Sequence, residues 1–434
     1  MAEQAGRWRL ERLQPNGVAD WPPATPAPVL AEAASPELLG ERLPAPLVAI
    51  AAFTGTVRRL PLRFGETEGR LDVLEGAIRG VATEQPACRV QFSGPAILLA
   101  GFAAELGGDV DIRVPGAGLG ADAVSVARGV APAPRHLGAP TVPPGCTVGQ
   151  AMCIVTAHLA DVILYWAPRA PIGTVPEPVH QMRVAVRRLR AALHLYRDVA
   201  AGSVLAELED ALKNLAARLG SARDWDVFLS GAGDDVRQAF PDDARVAGLL
   251  TAASRKRAAA YAALGTYLGG EDWRRLALRL ALLPTAEPWR DPMDAEQAAL
   301  LAAPSEDHAA ATLARLQGRV LKAGADFATL SPTALHGVRK RAKALRYATE
   351  FFTSLFPAKR VRRYLEKLED LQADLGTVND GHVAAHLMGQ LGQSADRAFA
   401  AGAVQGYVAA LSGKAATRAT KSWTKFARQE NFWH

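Results

Sequence analysis

The chain has 434 residues, which is enough for about two or three domains with sizeable cores. Its formal net charge of +6 is uneven, because residues 1–150 carry −2 while residues 151–434 carry +8 and contain every lysine. The three cysteines form no CxxC pair, which argues against a disulfide framework and favours a reducing compartment. The N-terminal residues lack the apolar core of a signal peptide, and the longest apolar runs are too short to span a bilayer. We therefore expect a cytoplasmic, bacterial protein with no membrane partner.

The first third of the chain predicts three successive regions. Residues 1–45 are rich in proline and alanine, which predicts a loosely structured lead-in. Residues 46–132 predict a smaller α+β region, in which GRLDVLEG and ACRVQFSG are strands broken by glycine and PAILLAGFAAEL is a helix. Residues 133–146 are rich in proline and glycine and predict a linker.

Residues 147–434 predict a mainly α domain, because alanine, leucine and arginine dominate and glycine and proline are sparse within segments. We expect two halves, about 147–283 and 305–434, separated by the segment from Pro284 to Pro304. The predicted helices of the first half cover residues 148–166, 178–198, 203–219, 222–238, 243–268 and 271–282. Those of the second half cover residues 305–329, 332–355, 358–375, 379–392 and 395–430.

Two segments of this domain, VHQMRVAVRRLR and LHGVRKRAKALR, repeat the pattern His-x2-Arg-x3-Arg/Lys-x-Leu-Arg at a spacing of 156 residues. At about 100° per helical residue, the basic positions of each segment fall on one face of a helix. The first stripe consists of His180, Arg183, Arg187 and Arg190, and the second consists of His336, Arg339, Lys343 and Arg346. Like charges stacked in this way repel one another, which favours a face that binds an anion.

The repeat continues in LGSARDWDV and LGTVNDGHV, which predicts two similar helical subdomains related by a pseudo-two-fold axis. The matching positions, again 156 residues apart, are Leu219, Gly220, Asp224 and Val227 in the first segment and Leu375, Gly376, Asp380 and Val383 in the second. Each Leu-Gly pair predicts a break between helices. Asp224 and Asp380 are then expected at helix starts, where they cap the helix or pair with an arginine of the stripe. No second carboxylate has convincing spacing for a metal site there.

The stripes suit a linear polyanion. Arginine binds phosphate oxygens through a planar fork of donors, and lysine adds a point charge. Two such helices facing each other would line a basic groove, in which many modest contacts and counterion release give the affinity. Other basic clusters could extend this surface or be ordinary solvated helix faces. These are Arg255–Arg257; Arg315, Arg319 and Lys322; Lys359, Arg360, Arg362, Arg363 and Lys367; and Lys414, Arg418, Lys421 and Lys425.

The segments VHQMRVAVRRLRAAL, LGSARDWDV, LHGVRKRAKALRYATEFF, LGTVND and WTKFARQENFW resemble the CHAD family, the conserved histidine α-helical domain, over about residues 147–434. The resemblance implies a pair of pseudo-two-fold-related four-helix bundles around a basic cavity. It also implies binding of inorganic polyphosphate and, in some members, association with polyphosphate granules. The binding residues that it implies are His180, Arg183, Arg187, Arg190, His336, Arg339, Lys343 and Arg346, with Arg188 and Lys340 as additions.

The N-terminal region is similar to a degenerate CYTH, or triphosphate tunnel, domain, through EGRLDVLEGAIRG followed by ACRVQFSGPAILLAGFAAEL. Active CYTH members carry Glu-x-Glu-x-Lys and alternating glutamates that bind a metal ion. Residues 1–150 have no lysine, and ACRVQF supplies Arg89 and Gln91 where acids would be expected. Without acidic ligands a divalent ion is held weakly. We therefore expect a scaffold or interaction surface here, with no catalysis.

Three functional hypotheses follow. The leading one is non-enzymatic binding of inorganic polyphosphate without a cofactor, with location in the cytoplasm and at polyphosphate granules. The second is a metal-dependent hydrolase of polyphosphates or triphosphates, in which histidines and arginines stabilise the transferring phosphoryl group. The third is a nonspecific nucleic-acid binder. Because the stripes lack interleaved aromatics and no helix-turn-helix signature is present, sequence-specific recognition is not expected.

Overall fold

The structure is a computed structural model that forms two compact units, one of residues 1–102 with 115–136 and the other of residues 103–114 with 137–434. It describes residues 2–4, 7–9, 51–64, 66–80, 83–95, 108, 110–116, 118–130, 138–200, 203–290, 294–391 and 394–433, without the side chains of residues 2–4, 7–9, 64, 203–204, 286 and 378–382. The helix predicted within PAILLAGFAAEL and most of the Pro/Ala-rich lead-in lie outside these residues.

The strands that the structure describes lie in the first unit. A short antiparallel pair is formed by β1 (Ala2–Gln4) and β2 (Arg7–Arg9), and an antiparallel sheet is formed by β3 (Ala51–Phe64), β4 (Thr67–Gly80) and β5 (Glu84–Ser93) in the order β3-β4-β5. Helix α1 (Leu119–Arg128) packs on this sheet through Val126, which is buried beside Ile78 and Ala87. The strands predicted in GRLDVLEG and ACRVQFSG are confirmed as parts of β4 and β5.

The second unit is a pair of four-helix bundles. The helices of its first half are α2 (Val148–Trp166), α3 (Glu177–Leu195), α4 (Ser203–Ser230), α5 (Ala232–Ala239), α6 (Ala244–Gly269), α7 (Glu271–Ala286) and α8 (Ala295–Ala302). Those of its second half are α9 (Ser305–Ala323), α10 (Pro332–Phe351), α11 (Ala358–Gly389) and α12 (Ala395–Ala427). Helices α2, α3, α4 and α6 correspond in order to α9, α10, α11 and α12, which begin 151 to 157 residues later. The predicted pair of similar bundles is confirmed.

The Leu-Gly pairs do not break helices, contrary to the prediction. Helix α4 runs through Gly220 and α11 runs through Gly376, so each replaces two predicted helices. A glycine inside a helix costs only about 1 kcal/mol relative to alanine. In α4 this cost is offset by the apolar residues on either side of the glycine, because Leu219 and Ala222 are fully buried.

The segment between the halves also differs from the prediction. Pro284 lies inside the last turn of α7, which ends at Ala286 and is followed by Glu287 in the left-handed backbone region with φ of 39°. Helix α8 then occupies part of the segment from Pro284 to Pro304, for which no helix is predicted. Because proline has no backbone N–H to donate to the carbonyl of residue i−4, it weakens helix α7, which ends two residues later.

Two separate apolar cores lie in this helical unit. The larger contains the inner faces of α3 and α10, and the smaller contains Trp225 and Phe228 of α4 together with residues of α6, α11 and α12. Along α6, Ala253 belongs to the smaller core and Tyr261 to the larger, while Arg257 lies between them and donates to the buried Asp226 at 2.7 Å. A buried polar contact therefore lies between the two cores along α6.

Helix α2 is the most apolar of the described helices. The segment Val148–Ile172 is long and apolar enough to cross a membrane, which corrects the prediction that every apolar run is too short. Its most apolar stretch is 61% buried within the protein, as expected for the core helix of a bundle.

Candidate functional site

Apolar residues fix the orientation of the two motif helices. On α3, Met182, Val186 and Leu189 are fully buried, and on α10 Val338 and Leu345 are fully buried. Helix α10 is also capped by Ser331, whose hydroxyl accepts a hydrogen bond from the backbone N–H of Ala334. Because each apolar face is held in the larger core, the basic stripe of each helix is directed away from that core.

The two basic stripes converge where α3 packs against α10. The ammonium group of Lys343 on α10 is partly buried. It is repelled by the charges of Arg187 and Arg183 on α3 and by those of Arg339 and Arg346 on its own helix. Burial and, after it, the repulsion from these guanidinium groups lower the pKa of Lys343 to about 7. The stripes that lie 156 residues apart in sequence are thus one cluster of like charges.

Within the described residues, the centre of this cluster has no carboxylate partner. None of the described carboxylates forms an ion pair with Lys343 or Arg187. The Nε of Arg187 is buried and has no hydrogen-bond acceptor among the described side chains. Buried charged groups normally find a partner of opposite charge, so this centre is suited to an anionic ligand.

One end of the cluster approaches α4. Arg183 donates to Asp224 at 3.4 Å, which confirms the predicted ion pair, although Asp224 lies in the middle of α4 and not at a helix start. Burial raises the pKa of Asp224 even though Arg183 opposes the shift. Burial and then the charge of Arg223 lower the pKa of His180, which therefore favours the neutral imidazole near pH 7.

The other end of the cluster is neutralised. The carboxylate of Glu350 accepts from Arg188 at 2.5 Å and from Arg346 at 2.8 Å, and its side chain is only 12% exposed. Arg346 also pairs with Glu369 of α11 at 2.8 Å. These two arginines therefore already have anionic partners within the protein.

The remaining predicted site residues lie around the cluster. His336 and Arg339 on α10 and Arg190 on α3 are partly exposed, whereas Lys340 is exposed. The side chain of Asp380, the counterpart of Asp224, lies outside the described residues. The chemistry available to this face is the binding of an anion by arginine, lysine and histidine donors.

Sequence reasoning missed two residues near the cluster. Arg223 of α4 acts on both His180 and Asp224, and His386 of α11 acts on Asp224. Arg223 could have been found from its place in LGSARDWDV, since it precedes the repeated aspartate. His386 lies outside both repeated segments, so no signal in the sequence linked it to them.

Two flanking basic clusters are partly occupied by internal contacts. Arg257 points inward to Asp226 and is not a surface cation, which corrects its assignment to a possible binding surface. On α12, Arg418 pairs with Asp374 at 3.1 Å. Within the part of the chain that the structure describes, no group of three or more histidine, cysteine, aspartate or glutamate residues is placed to hold a metal ion.

Comparison with known proteins agrees with this architecture. The family model for the CHAD domain matches residues 154–389, more than half of the chain. The crystal structure of the CHAD domain from the plant Ricinus communis is similar, with 28% identity and a TM-score of 0.56 over 69% of this chain and 99% of that chain. PptA from Streptomyces chartreusis shares the fold at 16% identity and a TM-score of 0.51, over 65% of this chain and 100% of that chain. A comparison with curated proteins found no match.

Proposed function

The chain belongs to the CHAD domain family, and we propose that it binds inorganic polyphosphate through the cation cluster between α3 and α10. The observation that carries this proposal is the convergence of Lys343 with Arg187 and Arg183 without a carboxylate among the described side chains at its centre. A chain of phosphates would supply the missing negative charge. Binding would then relieve the repulsion that lowers the pKa of Lys343.

The shape of the cluster favours a linear polymer over a compact anion. The basic groups follow the length of two helices, so successive phosphates could contact successive turns, and many modest contacts would add up. We assign this contact surface to His180, Arg183, Arg187, Arg190, His336, Arg339, Lys340 and Lys343. Arg188 and Arg346 contribute less, because both are paired with Glu350.

Nucleic acid is a weaker candidate for the same cluster. Single-stranded nucleic acids are held by aromatic side chains on which the bases stack. The ring of Tyr347, which lies at the paired end, is buried beneath Arg188 at 5.8 Å and offers no exposed face. This arrangement supports a ligand made of phosphate alone.

We propose that binding occurs without hydrolysis, at polyphosphate granules in the cytoplasm. The cluster provides cations but no nucleophile next to a general base, so electrostatic binding accounts for its composition. For the first unit, in which Arg89 of β5 pairs with Asp122 of α1, we propose a scaffold role as a degenerate CYTH-like domain.

The test is isothermal titration calorimetry of the purified protein with long-chain polyphosphate at low and high salt, with phosphate release assayed on the same sample. We expect tight binding that weakens as the salt concentration rises, because counterions are released from the polymer. Binding that is unchanged by salt, or absent, contradicts the proposal. Phosphate release in the presence of Mg²⁺ or Mn²⁺ would support the hydrolase instead.

A further inference from the structure

A second basic feature lies at the C-terminal end of α3, next to the cation cluster, and includes residues of α9. A shallow cleft, open to solvent, lies between α3, α9 and α10. Its apolar wall includes Leu195, Leu316 and Phe351, and its polar groups are His194 of α3 together with Arg315 and Arg319 of α9. The cleft therefore combines an apolar surface with three basic side chains.

The cleft exists because the repeat is broken at this point. At the crossing of α3 and α10, Arg188 extends across the ring of Tyr347 to reach Glu350, and these three side chains fill the space. The positions related to them by the spacing of 156 residues are Ala344, Ala191 and His194, all of which line the cleft. Two alanines stand where the other side has an arginine and a tyrosine, so the volume is left open.

The basic rim is stronger in this half. Helix α2 begins 157 residues before α9, so the counterparts of Arg315 and Arg319 are His158, which is partly exposed, and Val162, which is buried. Duplication alone would have placed a histidine and an apolar residue at these positions. Arg319 is therefore a departure from the repeat that coincides with the open cleft.

Few internal anions compensate these cations. Arg315 and Arg319 are one turn apart on α9, where like charges repel. Asp198 approaches Arg315 only at 3.9 Å and its side chain is 78% exposed, which makes the pair weak in water. Arg319 has no ion pair among the described residues, and His194 is exposed across from it.

We propose that this cleft binds a compact organic anion. Its phosphate or carboxylate group is held by Arg315, Arg319 and His194, and its small apolar body lies against Leu316 and Phe351. Polyphosphate has no apolar part and gains nothing from these two walls. The cleft is therefore a site for a second class of ligand, independent of the cation cluster.

Phenyl phosphate is a suitable probe, because it carries both features, and inorganic phosphate is the matching probe without the apolar body. In calorimetric titrations we expect phenyl phosphate to bind at least about tenfold more tightly than inorganic phosphate. The double variant Arg315→Ala, Arg319→Ala should lose at least about tenfold in this affinity, because charge-assisted hydrogen bonds are removed. Arg360→Ala, Arg363→Ala removes the same charge from an exposed face of α11 and should leave the affinity unchanged.

A second variant tests the cleft itself. Ala344→Leu should fill the open volume and lower the affinity for phenyl phosphate while binding of long-chain polyphosphate persists. Benzoate, titrated in parallel, distinguishes a carboxylate ligand from a phosphate ligand. Binding of either compound supports the site if the affinity falls in Arg315→Ala, Arg319→Ala and in Ala344→Leu. Equal affinities for phenyl phosphate and inorganic phosphate would overturn it. So would loss of phenyl phosphate binding in Arg187→Ala, Lys343→Ala but not in Arg315→Ala, Arg319→Ala.

Discussion

Arg187 and Arg188 are neighbours in sequence, yet they belong to two different electrostatic regions. Arg187 lies near Lys343 and forms no ion pair with a described carboxylate, whereas Arg188 is paired with Glu350 at 2.5 Å. The open region around Arg187 and Lys343 is available to a ligand, and the closed region around Glu350 is satisfied internally. The difference teaches that the cations of a basic stripe remain available to an anion only where no internal carboxylate neutralises them.

The largest expected effect is loss of the open region. Arg187→Ala, Lys343→Ala should weaken binding of long-chain polyphosphate by at least about 100-fold, since each side chain makes charge-assisted contacts. Calorimetry would measure this loss. The same variant should not lower the melting temperature, because it removes mutual repulsion within the free protein.

Lys421→Ala, Lys425→Ala is the matched control, because it removes two exposed cations from α12. An equal loss of affinity in this control would show that total charge decides binding and that the open region has no special role.

The next effect is a dependence of the affinity on pH. The pKa of Lys343 is lowered to about 7 in the free protein, so this side chain is charged below that pH and loses its proton as pH rises through it. The surrounding arginines keep their charge throughout this range. Affinity for polyphosphate should therefore fall by about tenfold between about pH 6 and pH 9, and binding above pH 7 should take up a proton.

Titrations in two buffers of different ionisation enthalpy measure this proton uptake. Lys343→Arg is the control, because arginine stays charged, and its pH dependence should be much weaker. Protonation of His180 also contributes, but its lowered pKa confines that contribution to more acidic conditions. An identical pH profile in Lys343→Arg would contradict this assignment.

Opening the closed region should have a smaller effect, of opposite sign. Glu350→Gln releases Arg188 and Arg346 from a carboxylate and should raise the affinity for polyphosphate by about fivefold. It should also lower the free energy of unfolding by about 1–3 kcal/mol, because two arginines lose a charged acceptor. Calorimetry and urea denaturation measure the two quantities.

Glu366→Gln removes an exposed carboxylate from α11 and serves as the comparison. If Glu366→Gln and Glu350→Gln raise the affinity equally, long-range charge accounts for the gain and release of the arginines does not.

The smallest effect concerns the margin of the open region. Lys340 is exposed on α10, where water and salt screen its charge. Lys340→Ala should change the affinity for polyphosphate by only about twofold at physiological salt. A tenfold loss in a binding assay would extend the open region to this outer face.

Local patterns predicted much of the helical unit. Helix α2 was predicted over residues 148–166 and has those bounds, and the spacing of 156 residues identified the two motif helices that meet in the cluster. Helical periodicity is a local property, so a single segment carries enough information to reveal it.

Pairings between distant residues were not predictable in this way. The contact between Arg188 and Glu350 joins residues 162 positions apart. Because of this contact, the charge of Arg188 is neutralised while that of its neighbour Arg187 is not. The continuity of α4 through Gly220 depends likewise on burial in the larger core, which local helix propensity does not include. Both features arise from packing across the two bundles.

The unbroken course of α4 and α11 has a consequence for how the helical unit comes apart. Each of these helices contributes side chains to both apolar cores, so neither core can lose its packing without disturbing a helix that the other core needs. The two cores are mechanically coupled through shared backbone hydrogen bonds. We therefore expect amide protons at the two ends of α4 to exchange with solvent through one common opening, as parts of a single cooperative folding unit.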